Sequence, residues 1–104
     1  MKKILLVCGA GMSTSLLVTK MKEVAKQRGI DVEIDAASFS TIDSEIEGAD
    51  VLLLGPQVSF RKDDYIKKYG DKVPIDVINQ VDYGMMNGEK VLDQALKIMK
   101  DKES

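Results

Sequence analysis

Cys8 is the chain's one cysteine, and it leads into two glycines and a run of hydroxyls: Cys8-Gly9-Ala10-Gly11-Met12-Ser13-Thr14-Ser15. A cysteine reacts as its thiolate, and its pKa falls where the sulfur faces a helix N-terminus or a ring of backbone N–H groups. Gly9, Ala10 and Gly11 let the backbone curl without Cβ clashes and bring donors within reach of an oxyanion, while Ser13, Thr14 and Ser15 add hydroxyls. The stretch reads as a phosphate-binding loop with a nucleophile at its mouth. The chain has no histidine, which removes the commonest general base, the commonest metal ligand and one phosphoryl acceptor together. Nucleophilic chemistry falls to Cys8 or to a carboxylate, and neither a metal nor a cofactor is expected.

A free cysteine at a strand end is also a small buried hydrophobe in many proteins. The small residues and hydroxyls around Cys8 shift the balance toward chemistry. Met12 stands in the loop, but its side chain, like those of Met85 and Met86, reads as packing. Arg61, Lys62, Lys67 and Lys68 read as a solvated face.

Such a loop has to be positioned by the elements on either side of it. Lys2 to Val7 is a short apolar block without alternation, as expected of a central parallel strand covered on both faces. From Ser13 onward Leu17, Met21, Val24, Ala25 and Arg28 recur at helical spacing, with Ser13 or Thr14 as a cap and Gly29 as a left-handed stop. The loop therefore lies between a strand end and a helix start, where free amides and the helix dipole favour an anion. Ile30, Val32, Ile34 and Ala36 alternate with polar residues, giving a second strand with one wet face. Thr41 to Glu47 offers a short helix, and Val51 to Leu54 a second continuous apolar strand. Val58, Tyr65, Ile66 and Tyr69 give a helical face ending at Gly70. Val73 to Ile78 is a fourth strand whose Pro74 lacks a ladder donor and so argues for an edge. A loop through Asn79 to Gly84 precedes a last helix from Asn87 or Gly88, striped by Val91, Leu92, Ala95, Leu96 and Met99.

The alternation predicts an α/β fold: a doubly wound, four-stranded parallel sheet with helices on both faces. Placing the two fully apolar strands at the centre gives the order 2-1-3-4. Its switch point falls between strands one and three, where Cys8 to Ser15 and Gly55-Pro56-Gln57 both emerge. With 104 residues, 44% of them apolar, the chain is expected to form a single domain, residues 1–104. A net charge of −2 without a basic stripe argues against nucleic acid. A lone cysteine and the absence of a signal-like opening predict a cytoplasmic protein. Apolar runs far shorter than the roughly 20 residues of a membrane helix exclude direct insertion. A monomer is expected.

Cys8 to Leu17, together with Leu53-Leu54-Gly55-Pro56-Gln57-Val58 and Tyr83-Gly84, resembles the enzyme IIB component of the lactose/cellobiose (chitobiose) class of the bacterial sugar phosphotransferase system. The resemblance covers essentially the whole chain, although Gly9 stands where members often carry serine. It implies a phosphotransferase relay in which a phosphohistidine on the IIA component phosphorylates Cys8. The phosphocysteine then passes the group to a sugar, a β-disaccharide such as cellobiose, chitobiose or lactose, held by the membrane-embedded IIC component. The protein would then associate peripherally with the membrane through IIC. The resemblance maps the phosphate cradle onto Gly9 to Ser15 and leaves Gln57 and Ser59 as rim or partner contacts.

The fold is also similar to low-molecular-weight tyrosine phosphatase, whose loop reads cysteine, five residues, arginine, then serine or threonine. This chain has Thr14 where that arginine belongs. Without a guanidinium fork on the phosphoryl oxygens hydrolysis should be poor, which suits a carrier. A cysteine-dependent phosphatase and a flavodoxin-like module binding FMN or another phosphate remain the alternatives.

Overall fold

The computed structural model describes residues 1–7 and 11–103, and only the backbone of residues 11–13 and of residue 103. Among the described residues four strands form one parallel sheet in the order β2-β1-β3-β4. They are β1 (Lys2–Val7), β2 (Val32–Ala37), β3 (Val51–Leu54) and β4 (Ile75–Val77). The helices are α1 (Gly11–Arg28), α2 (Ile42–Glu45), α3 (Lys62–Tyr69), α4 (Gln80–Gly84) and α5 (Gly88–Glu103). A 3-10 segment, Pro56–Arg61, runs directly into α3. The doubly wound architecture and strand order are those expected from the two apolar runs.

The continuous apolar run of β1 reflects burial on two faces. Ile4 and Leu6 pack with Ile34, Val51 and Leu53 beneath α1 and α5, against Leu17, Met21, Val91, Leu92 and Ala95. Leu5 and Val7 point the other way, joining Leu52 and Leu54 beneath α2 and α3 with Ile42, Ile46, Val58, Tyr65 and Tyr69. A strand so placed presents no polar face to water. Asp50 secures the entry of β1, accepting from the Lys3 amide (2.7 Å) while its own amide donates to the Lys3 carbonyl (2.8 Å). On the edge, β2 buries Ile34 and Ala37 but leaves Ala36 exposed, so the predicted inward alternation breaks at its last turn.

Several boundaries differ from the sequence expectation. Helix α1 opens at Gly11, so Ser13 and Thr14 lie within its first turn and do not cap it. It ends as expected at Gly29, whose φ of 68° lies in the left-handed region that glycine enters without a Cβ penalty. Ile66, grouped by spacing with the buried face of α3, is instead exposed. The stretch Asn79 to Gly84, expected as a loop, holds α4. The Asn79 side chain starts it by accepting from the Val81 and Asp82 amides at 3.0 and 3.2 Å. Asn87 likewise accepts from the Lys90 amide at 3.1 Å, capping α5. The two long helices are tied by Arg28, which pairs with Asp93 at 2.6 Å and Glu89 at 3.4 Å.

Candidate functional site

The carboxyl end of the sheet is where the chain divides between the two faces. Val7 lies between Ala37 and Leu54 in register, and its carbonyl accepts from the Gly55 amide at 2.9 Å. After β1 the chain turns into α1 on one face. After β3 it turns through the 3-10 segment into α3 on the other. This divergence makes the β1/β3 boundary the topological switch point, the place where open α/β sheets take their ligands.

Residues 8–10 link the end of β1 to the first residue of α1. Cys8, Gly9 and Ala10 thus lie outside the described residues. Gly11, Met12 and Ser13 form the first turn of α1, an 18-residue helix whose opening amides have no intrahelical acceptor and carry the positive end of the dipole. Thr14 follows as the buried polar side chain of the described core, 2% exposed. Its hydroxyl has no hydrogen-bond partner among the described residues. Ser15 is exposed, and its carbonyl accepts from the Thr19 hydroxyl at 3.0 Å. Of the predicted cradle, the structure therefore sets Gly11 to Thr14 on the helix start and turns the Ser15 side chain to the surface.

Three neighbouring features were not read from the sequence. Gln57 donates to the Tyr83 hydroxyl at 3.0 Å, tying the loop after β3 to α4. Gln94 of α5 donates to the Val77 carbonyl (2.8 Å) and accepts from the Asn79 amide (3.2 Å), which fixes α4 to the end of β4. Arg61, expected on a solvated face, is half-buried and stacked on an aromatic ring, its Cζ lying 4.6 Å from the Phe39 centroid. The signals were there, in Asn79 as a cap residue and in aromatics just beyond two strand ends, but pairing them required the strand order in three dimensions. Apolar side chains are exposed on the segments that leave this end of the sheet, among them Leu16, Phe60, Val81 and Met85. Ser59 is exposed, and its carbonyl accepts from the Lys62 amide.

A cavity of about 530 Å³ lies elsewhere, between Gly48 to Asp50 ahead of β3 and Lys72 and Val73 ahead of β4. That is the amino end of the strands, away from the switch point. Among the described residues no helix is long and apolar enough to cross a membrane.

Comparison with known proteins gives a consistent picture. The family model described as "PTS system, Lactose/Cellobiose specific IIB subunit" matches residues 3–94. The galactose-specific EIIB component of the PTS of Lactococcus lactis subsp. cremoris (strain MG1363) is 52% identical over 104 residues, covering 94% of this chain and 96% of that protein. The solution structure of the cellobiose-specific phosphotransferase IIB component from Borrelia burgdorferi superposes with a TM-score of 0.81 at 43% identity, covering 97% of this chain and 94% of that one. A low-molecular-weight protein tyrosine phosphatase from Bacillus subtilis shares the fold, with a TM-score of 0.56 at 16% identity over 98% of this chain and 99% of that one.

Proposed function

This chain belongs to the lactose/cellobiose-specific IIB subunits of the PTS, and from that premise we propose that it carries a phosphoryl group on Cys8 between a IIA donor and a sugar held by a membrane IIC protein. The observation that supports this most is topological. Cys8 follows the last residue of β1, and three residues on, at Gly11, an 18-residue helix begins. In the first step the Cys8 thiolate attacks the phosphorus of the donor's phosphohistidine. An S–P bond forms, the N–P bond breaks, and the imidazole leaves with its electron pair and takes up a proton. In the second step a sugar hydroxyl attacks the same phosphorus. The O–P bond forms, the S–P bond breaks, thiolate is regenerated, and the hydroxyl proton passes to a base of the acceptor protein or to water. The amides from Gly9 through Ser13 are assigned to the phosphoryl oxygens, with the hydroxyls of Ser13 and Thr14 as further donors; Ser15, whose side chain is exposed, takes no such role.

Thr14 supports transfer over hydrolysis. It occupies the place of the phosphatase arginine and offers a neutral hydroxyl, buried in the first turn of α1, where hydrolysis would use a charged fork. On this reading the chain works in the cytoplasm and meets the membrane through IIC. The sugar is a β-disaccharide or related glycoside. The names of its relatives carry both galactose and cellobiose.

Incubation with a phosphorylated IIA protein is expected to add one phosphoryl group to the intact mass. Cys8→Ser should end onward transfer to sugar, and Cys8→Ala should take up no phosphoryl at all. Full phosphate uptake by Cys8→Ala would overturn the assignment. Rapid turnover of p-nitrophenyl phosphate by the wild type would move the reading to a phosphatase.

A further inference from the structure

The amino end of the sheet holds a cavity that the carrier reading leaves unused. It forms where α2 gives way to β3 and α3 gives way to β4. Gly48, at a φ of 85°, turns the chain toward β3, and Tyr69 closes α3 shortly before Val73. At about 530 Å³ the cavity falls within the size range of small-molecule sites, roughly 300–1,000 Å³. Its lining combines buried Ile46, Ala49, Tyr69 and Val73 with exposed Asp43, Glu47, Lys68 and Lys72. Asp43 and Lys68 satisfy one another at 2.9 Å. Glu47 and the Lys72 ammonium have no such partner among the described residues. The Tyr69 hydroxyl is buried and likewise without a hydrogen-bond partner among the described residues. The lining thus keeps polar groups that the protein leaves unmatched, and each calls for a cause.

A second recess, about 220 Å³, shares Ala49, Asp50 and Lys72 with the first and adds Lys2, Met99 and Lys102. Asp50 is already engaged there, accepting from the Lys3 amide at 2.7 Å. Lys102 donates to the Lys72 carbonyl at 2.6 Å, which holds its ammonium beside the shared wall with two of its three donors to spare. The junction of the recesses therefore favours an anion, and lysine meets phosphate as a point charge. The larger recess asks for a different group. The Glu47 carboxylate can only accept, which suits ligand hydroxyls. Tyr69, the aromatic of this lining, is 7% exposed. The Lys68 ammonium lies 5.4 Å from its ring centroid and Tyr65 5.9 Å away, so it offers no open face for a nucleobase to stack on. We propose that the paired recesses bind a phosphorylated polyol, of which a sugar phosphate is the simplest case, with the phosphate at Lys72 and Lys102 and hydroxyls on Glu47. The site lies at the opposite end of the strands from the β1/β3 switch point and stands independently of the carrier reading.

The test titrates the isotope-labelled, unphosphorylated chain without partner proteins and follows its backbone amide shifts by NMR. The probes are glucose-6-phosphate, cellobiose-6-phosphate, glucose and inorganic phosphate. At least one of the two sugar phosphates is expected to bind with a Kd of about 1 mM or tighter, shifting the amides of Gly48, Ala49, Lys72 and Val73. Lys72→Gln should weaken that binding about tenfold, and added salt should weaken it more in the wild type than in the variant. Lys102→Gln should weaken it about threefold. Glucose and inorganic phosphate each satisfy one half of the site and should bind at least about tenfold more weakly than the ester. Absence of shifts with both sugar phosphates at about 10 mM overturns the inference. Shifts confined to Gly11 through Ser15 also overturn it, since they place the ligand at the start of α1. So does glucose or inorganic phosphate binding as tightly as the ester, or unchanged affinity in Lys72→Gln. Lys72 is exposed, and matching thermal unfolding of the variant separates lost affinity from loss of the fold. No phosphoryl transfer enters the measurement, so failure here leaves the carrier reading untouched, and failure of that reading leaves this site standing.

Discussion

Thr14 shows what the residue types disclosed and what they left out. Its type and spacing read as a hydroxyl of the proposed phosphate loop, standing where a phosphatase has arginine. Its burial, at 2% exposure with no hydrogen-bond partner among the described residues, could not be read from spacing. Leaving a hydroxyl buried and unpaired costs about 1–3 kcal/mol, a cost that Thr14 bears in the resting protein unless a group outside the described residues accepts from it. A phosphoryl oxygen on Cys8 would supply an acceptor for it. Thr14→Val removes the hydroxyl while keeping the shape. It should raise stability to denaturant by about 1 kcal/mol and shorten the lifetime of the phosphorylated protein, followed by mass as phosphate is lost. A clear fall in stability would show that the hydroxyl already has a partner in the unphosphorylated chain. Arg61 makes the complementary point, since charge type alone read as solvated surface and only the meeting of two loops revealed its aromatic seat.

At the level of elements, legibility followed how completely each segment was buried. The runs Ile4 to Val7 and Val51 to Leu54 were plain because both faces of each strand are covered, which leaves no polar position to blur the pattern. The amphipathic stripe of α5 was equally plain. Helix α4 was missed because five residues carry no period, and its evident determinant, the Asn79 cap, is shared with ordinary turns. The start of α1 was placed late because Ser13 and Thr14 are good caps by type, whereas the helix opens at Gly11. Packing between helices was invisible altogether. A Cβ on Gly88, at the start of α5, would stand 2.8 Å from the Lys20 carbonyl carbon and 2.9 Å from the Met21 amide, both of them backbone atoms of α1 that cannot rotate away. Gly88→Ala should therefore push the helices apart and cost about 1–3 kcal/mol, read as a lower denaturant midpoint at unchanged slope. An unchanged midpoint would mean that α5 shifts along α1 without loss.

For the molecule as a whole, the strand order followed from asking which strands tolerate water, and that order alone placed the switch point between β1 and β3. Partner surfaces did not follow, because they depend on which side chains from separate loops come together. Nor did the ionic balance of the two core layers. The layer beneath α2 and α3 contains Tyr65, 6% exposed and 5.9 Å from Tyr69 between ring centroids. Burial pushes the Tyr65 hydroxyl pKa up; Arg61 pulls it back, Asp43 raises it further, Lys68 opposes and Asp64 adds a last upward contribution. The raised value has a definite sign for stability. Below about pH 10, the ordinary value for tyrosine, folded and unfolded chains both keep the proton and this group adds no pH dependence. Above it the unfolded chain releases its proton first, so it binds fewer protons than the native state and stability falls as pH rises through the folded pKa. Denaturant midpoints measured from about pH 8 to about pH 11 should thus decline at the alkaline end for the wild type and decline less for Tyr65→Phe, which has no proton to release. Parallel curves for the two proteins would assign the alkaline loss to other groups. A shallower curve for Tyr65→Phe would tie the alkaline loss of stability to ionisation of this buried tyrosine in the α2/α3 layer.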